Sequence, residues 1–213
     1  LKKGSIVVDI GANIGYYTVI AAKGVGPEGK VYAYEPEDRN YTFLKKNAEA
    51  NKCTNIVPLK IGLSDKKGLD KLYLDDNNKG HHSILYEKNK KTLTIEMDTL
   101  DNSLRQNGVP RVDIIKMDIE GAEFLALKGM RLTIQNNPKL TLFIEFYPKA
   151  IVRLGGDPLK FLYNITASGF SISVINENKN IVIPITDIPR FVHRFPKGES
   201  FMNIIAVRNI DGE

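Results

Sequence analysis

The run Ile6-Val7-Val8-Asp9-Ile10 is apolar at odd and even positions alike, save for one acid, and it stops at Gly11. A strand covered on one face would alternate polar with apolar, so a run of this kind belongs to a strand buried on both faces, as in a parallel sheet flanked by helices. Similar runs occupy Val31 to Glu35, Ile56 to Ile61, Val112 to Met117 and Leu140 to Phe146. Helical patterns lie between them. Pro36 ends the second run and a helix begins near Glu37 or Asp38, with Tyr41, Leu44 and Ala48 at i, i+3 and i+7 forming one apolar stripe. Gly121 opens a helix carrying Phe124 and Leu127, and Gly129 suits its C-terminal cap. Pro158 to Ser168 places Leu159, Leu162 and Ile165 at helical spacing.

Two stretches break the alternation. Leu69 to Leu74 and Thr92 to Met97 repeat with period two, which predicts an antiparallel ribbon inserted over residues 69–97 after the third strand. From Phe170 onward the chain reads as entirely β. Strand–helix alternation with right-handed crossovers predicts one α/β domain over residues 1–213, built on a mostly parallel sheet.

Composition narrows the class. With 42% hydrophobic and 26% charged residues in 213, a disordered or rod-like chain is excluded. Cys53 is the single cysteine, and His81, His82 and His193 are the other soft ligands, so neither an internal disulfide nor a structural zinc cluster is expected. No run approaches ~18 apolar residues and no leader pattern opens the chain, which makes the cytoplasm the default compartment and a membrane span unexpected. The chain opens at Leu1 rather than Met with a strand almost at once, so a trimmed N-terminus is expected, and any upstream substrate-capping element would lie outside this sequence. The net charge of +5 raises the question of nucleic acid, but Lys66-Lys67 and Lys88 to Lys91 sit in polar turns without aromatic partners and read as solvated loops.

In open parallel sheets, ligands bind beyond the carboxyl ends of the strands, where strand order reverses. The first strand ends in Asp9-Ile10-Gly11-Ala12-Asn13-Ile14-Gly15. A dinucleotide site wants a glycine in the middle slot so that pyrophosphate can sit on the helix N-terminus; here that slot is Asn13 and an acid precedes the loop. Asp9 would repel a pyrophosphate but could hold an ammonium group. Glu35 lies 20 residues beyond Gly15, where a carboxylate can accept both ribose hydroxyls, and Pro36 offers a flat apolar face to an adenine. Gly62-Leu63-Ser64-Asp65 closes the third strand with groups suited to an adenine edge, Asp118, Glu120 and Glu123 leave the fourth, and Glu145 ends the fifth. Such an acidic crown suits a cationic ligand, although Glu120 and Glu123 equally suit a helix N-terminus.

Asp9 to Gly15, Glu35-Pro36, Thr99-Leu100-Asp101, Lys116 to Glu123 with its Asp-Ile-Glu-Gly-Ala-Glu core, and Ile144-Glu145 together resemble the FkbM family of S-adenosylmethionine-dependent methyltransferases, in the family's order over roughly residues 6 to 170. The resemblance implies a class I methyltransferase (Rossmann-like) fold: a seven-stranded, mostly parallel sheet with helices on both faces, whose last hairpin holds the only antiparallel strand. It implies S-adenosyl-L-methionine as cofactor and methylation of a hydroxyl on a small metabolite, sugar or polyketide-like acceptor. Gly11, Asn13, Gly15 and Tyr17 would face the methionine part, with Asp9 at its ammonium. Glu35 and Pro36 would meet the ribose and adenine, Leu63 and Ser64 would flank the adenine, and Asp118 would lie beside the sulfonium and the substrate. Gly80-His81-His82-Ser83 departs from the small hydroxyl residues more usual in the family, on the acceptor side.

A hydroxyl must lose its proton during transfer, and Asp118, Glu145, His81 and His82 are the candidate bases. By analogy with catechol-type O-methyltransferases, Asp118 and Glu145 could instead hold a divalent cation. An NAD-dependent oxidoreductase shares the topology, and a non-catalytic cofactor-binding module would share the pocket. The acceptor's identity and the oligomeric state are not encoded in any motif.

Overall fold

The computed structural model describes residues 1–74, 82–85, 88, 90–195 and 201–208. Its central sheet contains β1 (Ile6–Ile10), β2 (Lys30–Tyr34), β3 (Ile56–Leu59), β7 (Ile114–Met117), β8 (Thr141–Phe146), β9 (Phe170–Asn176), β10 (Ile181–Pro184) and β11 (Met202–Arg208), in the order β10-β9-β11-β8-β7-β1-β2-β3. Strands β3, β2, β1, β7 and β8 are mutually parallel. Their doubly apolar runs are explained by cover on both faces: Val8, Ile10, Ile115, Met117, Leu142 and Ile144 are all buried. Helices α1 (Tyr16–Val25) and α2 (Asp38–Ala50) follow β1 and β2, while α4 (Glu123–Lys128) and α5 (Arg131–Asn136) follow β7. No helix among the described residues is long and apolar enough to cross a membrane.

Strand order reverses between β1 and β7, which places a crevice above their carboxyl ends. Register then decides which side chains meet there. Asp9 lies opposite Lys116 and Ile10 opposite Met117. Paired positions on neighbouring strands share a face, so an acid and a base are brought together at the crevice floor.

Three expectations are corrected. The sheet has eight strands rather than seven, because Ile181–Pro184 folds back on β9 as an extra edge strand. Consequently both β10 and β11 run against the parallel set, not one strand alone. The tail is not entirely β: α8 (Ile188–His193) begins where the Asp187 carboxylate accepts from Arg190 N–H at 2.9 Å, and its Phe191 packs on Phe146 with ring centroids 5.8 Å apart.

The third apolar run also divides. After β3 the chain leaves the central sheet, and β4 (Gly62–Leu63) joins β6 (Thr92–Asp98) in parallel. β5 (Gly68–Tyr73) pairs with β6 antiparallel, so residues 62–98 contain a separate three-stranded sheet. Its own apolar cluster is Leu72, Ile95 and Met97. Thr99-Leu100-Asp101 turns out to be architectural. The Thr99 hydroxyl caps α3 (Leu100–Gln106) by accepting from Asn102 N–H, and the Asp101 carboxylate accepts from Leu132 and Thr133 N–H at 2.9 and 2.8 Å. That fastens α5.

Candidate active site

The loop after β1 is drawn tight by its backbone. Gly11 and Ala12 N–H both donate to Tyr34 C=O, at 3.1 and 3.0 Å, which ties the loop to the end of β2. Gly11 has φ +76°, and a Cβ there would sit 2.0 Å from the Asp118 carbonyl oxygen. The exit of β7 therefore rests directly on this glycine. Asn13 also takes a left-handed conformation, φ 51°, and its side-chain oxygen accepts from Ile14 N–H at 2.7 Å.

This geometry aims Asn13 N–H at Glu35. The carboxylate of Glu35 accepts from Asn13 N–H at 2.8 Å through Oε2 and from Glu37 N–H at 2.9 Å through Oε1. Each oxygen keeps a lone pair for a further donor. Glu35 is only 6% exposed. Burial outweighs the two N–H donors and pushes its pKa up to about 7.

A small pocket of about 70 Å³ opens here, lined by Gly11, Asn13, Glu35, Pro36 and Leu63 on one side and by Asp118 and Glu120 on another. The three-stranded sheet contributes Leu72, Ile95 and Met97 to its wall, and His82 reaches it from the connection between β5 and β6. His81 lies outside the described residues. Gly15 and Ser64 do not line this pocket. Gly15 caps α1 against Leu44, and Ser64 is buried, with its N–H donating to Asp98 C=O. Asp9 and Tyr17 instead line a second, larger groove of about 570 Å³ along β7 and β8, together with Lys116, Asp118, Phe143 and Glu145. Asp118 belongs to both walls.

Carboxylates crowd the boundary between the two spaces. Atoms of Asp118, Glu120 and Glu145 lie within 4.8 Å of one another, an arrangement able to receive a metal ion. Glu145 is 8% exposed and its Oε2 has no hydrogen-bond partner. Burial, with Asp118, Glu120 and Glu123 nearby, raises its pKa to about 9. Glu123 is wholly buried, accepts from Ile119 N–H at 2.8 Å and is pushed up to about 8, again chiefly by burial. It holds the turn from which Asp118 and Glu120 project.

Glu120, which the sequence offered either to an acidic crown or to a helix start, and Lys116, which has no counterpart among the sequence-derived candidates, complete the cluster. Glu120 joins the acid cluster from a left-handed backbone, φ 56°. Lys116 lies between the acids, with Nζ 3.5 Å from Asp9 Oδ1 and 3.2 Å from Asp118 Oδ2. A lysine inside an apolar strand was the available signal, since a charge there requires a partner.

The acids set a pH dependence of stability. Glu35, Glu123 and Glu145 bind protons more tightly when folded than their ordinary value of 4.5. From pH 4.5 upward to the raised values, the folded chain carries more protons than the unfolded one, so stability falls as pH rises through that window. Urea unfolding without ligand is expected to show a lower midpoint at pH 8 than at pH 5.5. The opposite trend would mean that these carboxyls are not held as described.

The match to known families settles the lineage. Residues 9–172 match the model of the methyltransferase FkbM domain, well over half of the chain. The chain belongs to the FkbM methyltransferase family. Among relatives of this FkbM chain, methyltransferase sdnD of Sordaria araneosa is 27% identical over 161 residues, covering 61% of this chain and 62% of sdnD. The hexuronic acid methyltransferase AglP of Haloferax volcanii is 29% identical over 138 residues, covering 63% of this chain and 54% of AglP. These matches thus span little more than half the length of either relative. A crystal structure of methyltransferase FkbM from Methylobacillus flagellatus aligns with a TM-score of 0.61 at 18% identity, over 97% of this chain and 44% of that one. A SAM-dependent methyltransferase from Aquifex aeolicus aligns with a TM-score of 0.52 at 16% identity, over 97% and 83%. Both show the shared α/β fold.

Proposed function

We propose that this FkbM domain transfers the methyl group of S-adenosylmethionine to a hydroxyl of a small acceptor. The observation that carries the reading is the convergence of Gly11, Asn13, Glu35 and Asp118 on one pocket at the reversal of strand order. In it, Glu35 accepts the ribose hydroxyls, Pro36 and Leu63 flank the adenine, and the Gly11 to Asn13 loop faces the methionine part. Asp118 stands beside the sulfonium. An acid rim opposes a pyrophosphate, which argues against the dinucleotide alternative.

The reaction breaks the sulfur–methyl bond and forms an oxygen–methyl bond, while the hydroxyl proton passes to a base. Alignment of the acceptor supplies much of the rate, on the order of 7 to 11 kcal/mol in well-oriented systems. Asp118 is the preferred base because it borders both the cofactor pocket and the groove, with Glu145 and His82 as neighbours able to relay the proton. The groove combines Phe143, Ile175 and Phe201 with carboxylates, which suits an acceptor having an apolar body and a hydroxyl. The relative that acts on a hexuronic acid supports a hydroxylated acceptor class. Asp118→Asn is expected to slow transfer of labelled methyl by ~10² or more, a larger loss than the accompanying drop in S-adenosylhomocysteine affinity. A wild-type rate would remove Asp118 from this role.

Asp118, Glu120 and Glu145 also fit a hard divalent cation, and the unpartnered Glu145 oxygen supports that use. When bound, such an ion polarises a coordinated hydroxyl and eases loss of its proton. EDTA is then expected to cut turnover at least tenfold, with Mg²⁺ restoring it; unchanged turnover assigns proton removal to the side chains alone.

A further inference from the structure

Asp9, the Gly11 carbonyl and Asp118 form a seat for an ammonium group, and in this structure the Lys116 side chain occupies it. Nζ lies 3.5 Å from Asp9 Oδ1, 3.5 Å from Gly11 O and 3.2 Å from Asp118 Oδ2. Committed charge-assisted bonds to carboxylates are about 2.7–2.9 Å long, and none of the three is that short. Asp9 adds a second sign that the seat is loosely filled. It is 2% exposed, its Oδ2 accepts from the Thr18 hydroxyl at 2.6 Å, and its Oδ1 has no hydrogen bond.

Lys116 already has a second partner. Nζ stands 5.2 Å from the centre of the Tyr17 ring, and Tyr17 is exposed at the mouth of the second groove. An aromatic face is a favourable place for an ammonium group leaving a pair of acids.

We propose that Lys116 is a tethered competitor for the α-ammonium of the cofactor. The inference rests on the adenosyl-cofactor reading above. The two cations exchange at one seat: the cofactor's ammonium takes Asp9, Gly11 O and Asp118 while Lys116 keeps only the Tyr17 face, and Lys116 returns to the acids as the product departs. Lys116 thereby acts as a positioning residue, setting how tightly the amino-acid end is held and helping the product leave. Ligands that lack that end are indifferent to it.

The test is calorimetric titration at pH 8 with two probes, S-adenosylhomocysteine and 5′-methylthioadenosine, which share the thioadenosine but differ in the amino-acid end. Lys116→Met is expected to tighten S-adenosylhomocysteine at least tenfold and to leave methylthioadenosine within twofold, while Lys116→Arg, which keeps a cation, does not tighten either. A merely structural lysine would move both probes together. Equal shifts for the two, or an S-adenosylhomocysteine affinity that is unchanged or weaker in Lys116→Met, overturn the proposal. Tyr17→Leu, an exposed change safe for folding, gives an independent measurement: S-adenosylhomocysteine should weaken about threefold with methylthioadenosine unmoved, and no change refutes the exchange. If wild type binds neither probe, the cofactor reading itself fails. Binding of both without dependence on Lys116 removes this inference alone.

Discussion

Glu35→Ala is expected to weaken S-adenosylhomocysteine binding by at least ~10²-fold. Two ribose hydroxyls donating to one buried carboxylate are each worth roughly 1.5–3 kcal/mol, so the direct loss alone reaches about two orders of magnitude. A second loss adds to it. Asn13 and Glu37 N–H both donate to this carboxylate, and alanine would leave the two amides without their acceptor at the turn that shapes the loop. Glu35→Gln is not a neutral control, because one of its two ends becomes an NH₂ facing an N–H donor. It should fall between wild type and alanine. Calorimetry on all three proteins, with melting curves to confirm folding, decides the matter; an alanine variant that binds normally would refute the placement of the ribose.

Gly11→Ala is expected to destabilise the fold by roughly 3–5 kcal/mol, a drop of about 10 °C or more in Tm for a chain of this size. The cause is twofold. At φ +76° a Cβ is itself strained, and here it would overlap the Asp118 carbonyl oxygen at 2.0 Å. The obstacle is backbone, so no rotamer change relieves it, and Asp118 must be pushed away. Gly108→Ala isolates the first contribution, since Gly108 has φ +61° and open space where its Cβ would be; about 1 kcal/mol is expected there. Equal melting temperatures for the two variants would show that the loop and the β7 exit are not in contact.

What was legible in the sequence was whatever a single segment encodes. The doubly apolar runs, the Gly11 to Gly15 loop and the interval from Gly15 to Glu35 each follow from local spacing. Lys116 was illegible because its partner, Asp9, is supplied by strand register, a property of two segments over 100 residues apart. Glu120 was ambiguous because an acid before a helix has an adequate local explanation. The eighth strand was hidden because Ile181–Pro184 reads simply as more of a β-rich tail. α8 was different: Asp187 followed by Pro189 is a helix-start signal, and the surrounding Ile and Val residues masked it. Ser64 sat in the right stretch, yet its backbone pairing with Asp98 carries it off the pocket wall.

The ligand pocket is assembled from two separately hydrogen-bonded parts. Its floor belongs to the long sheet, whereas Leu72, Ile95 and Met97 hang from the small one, whose apolar cluster stands apart from the main core. Drift in residues 62–98 can therefore reshape the cover over the crevice while the strand register that pairs Asp9 with Lys116 beneath stays as it is.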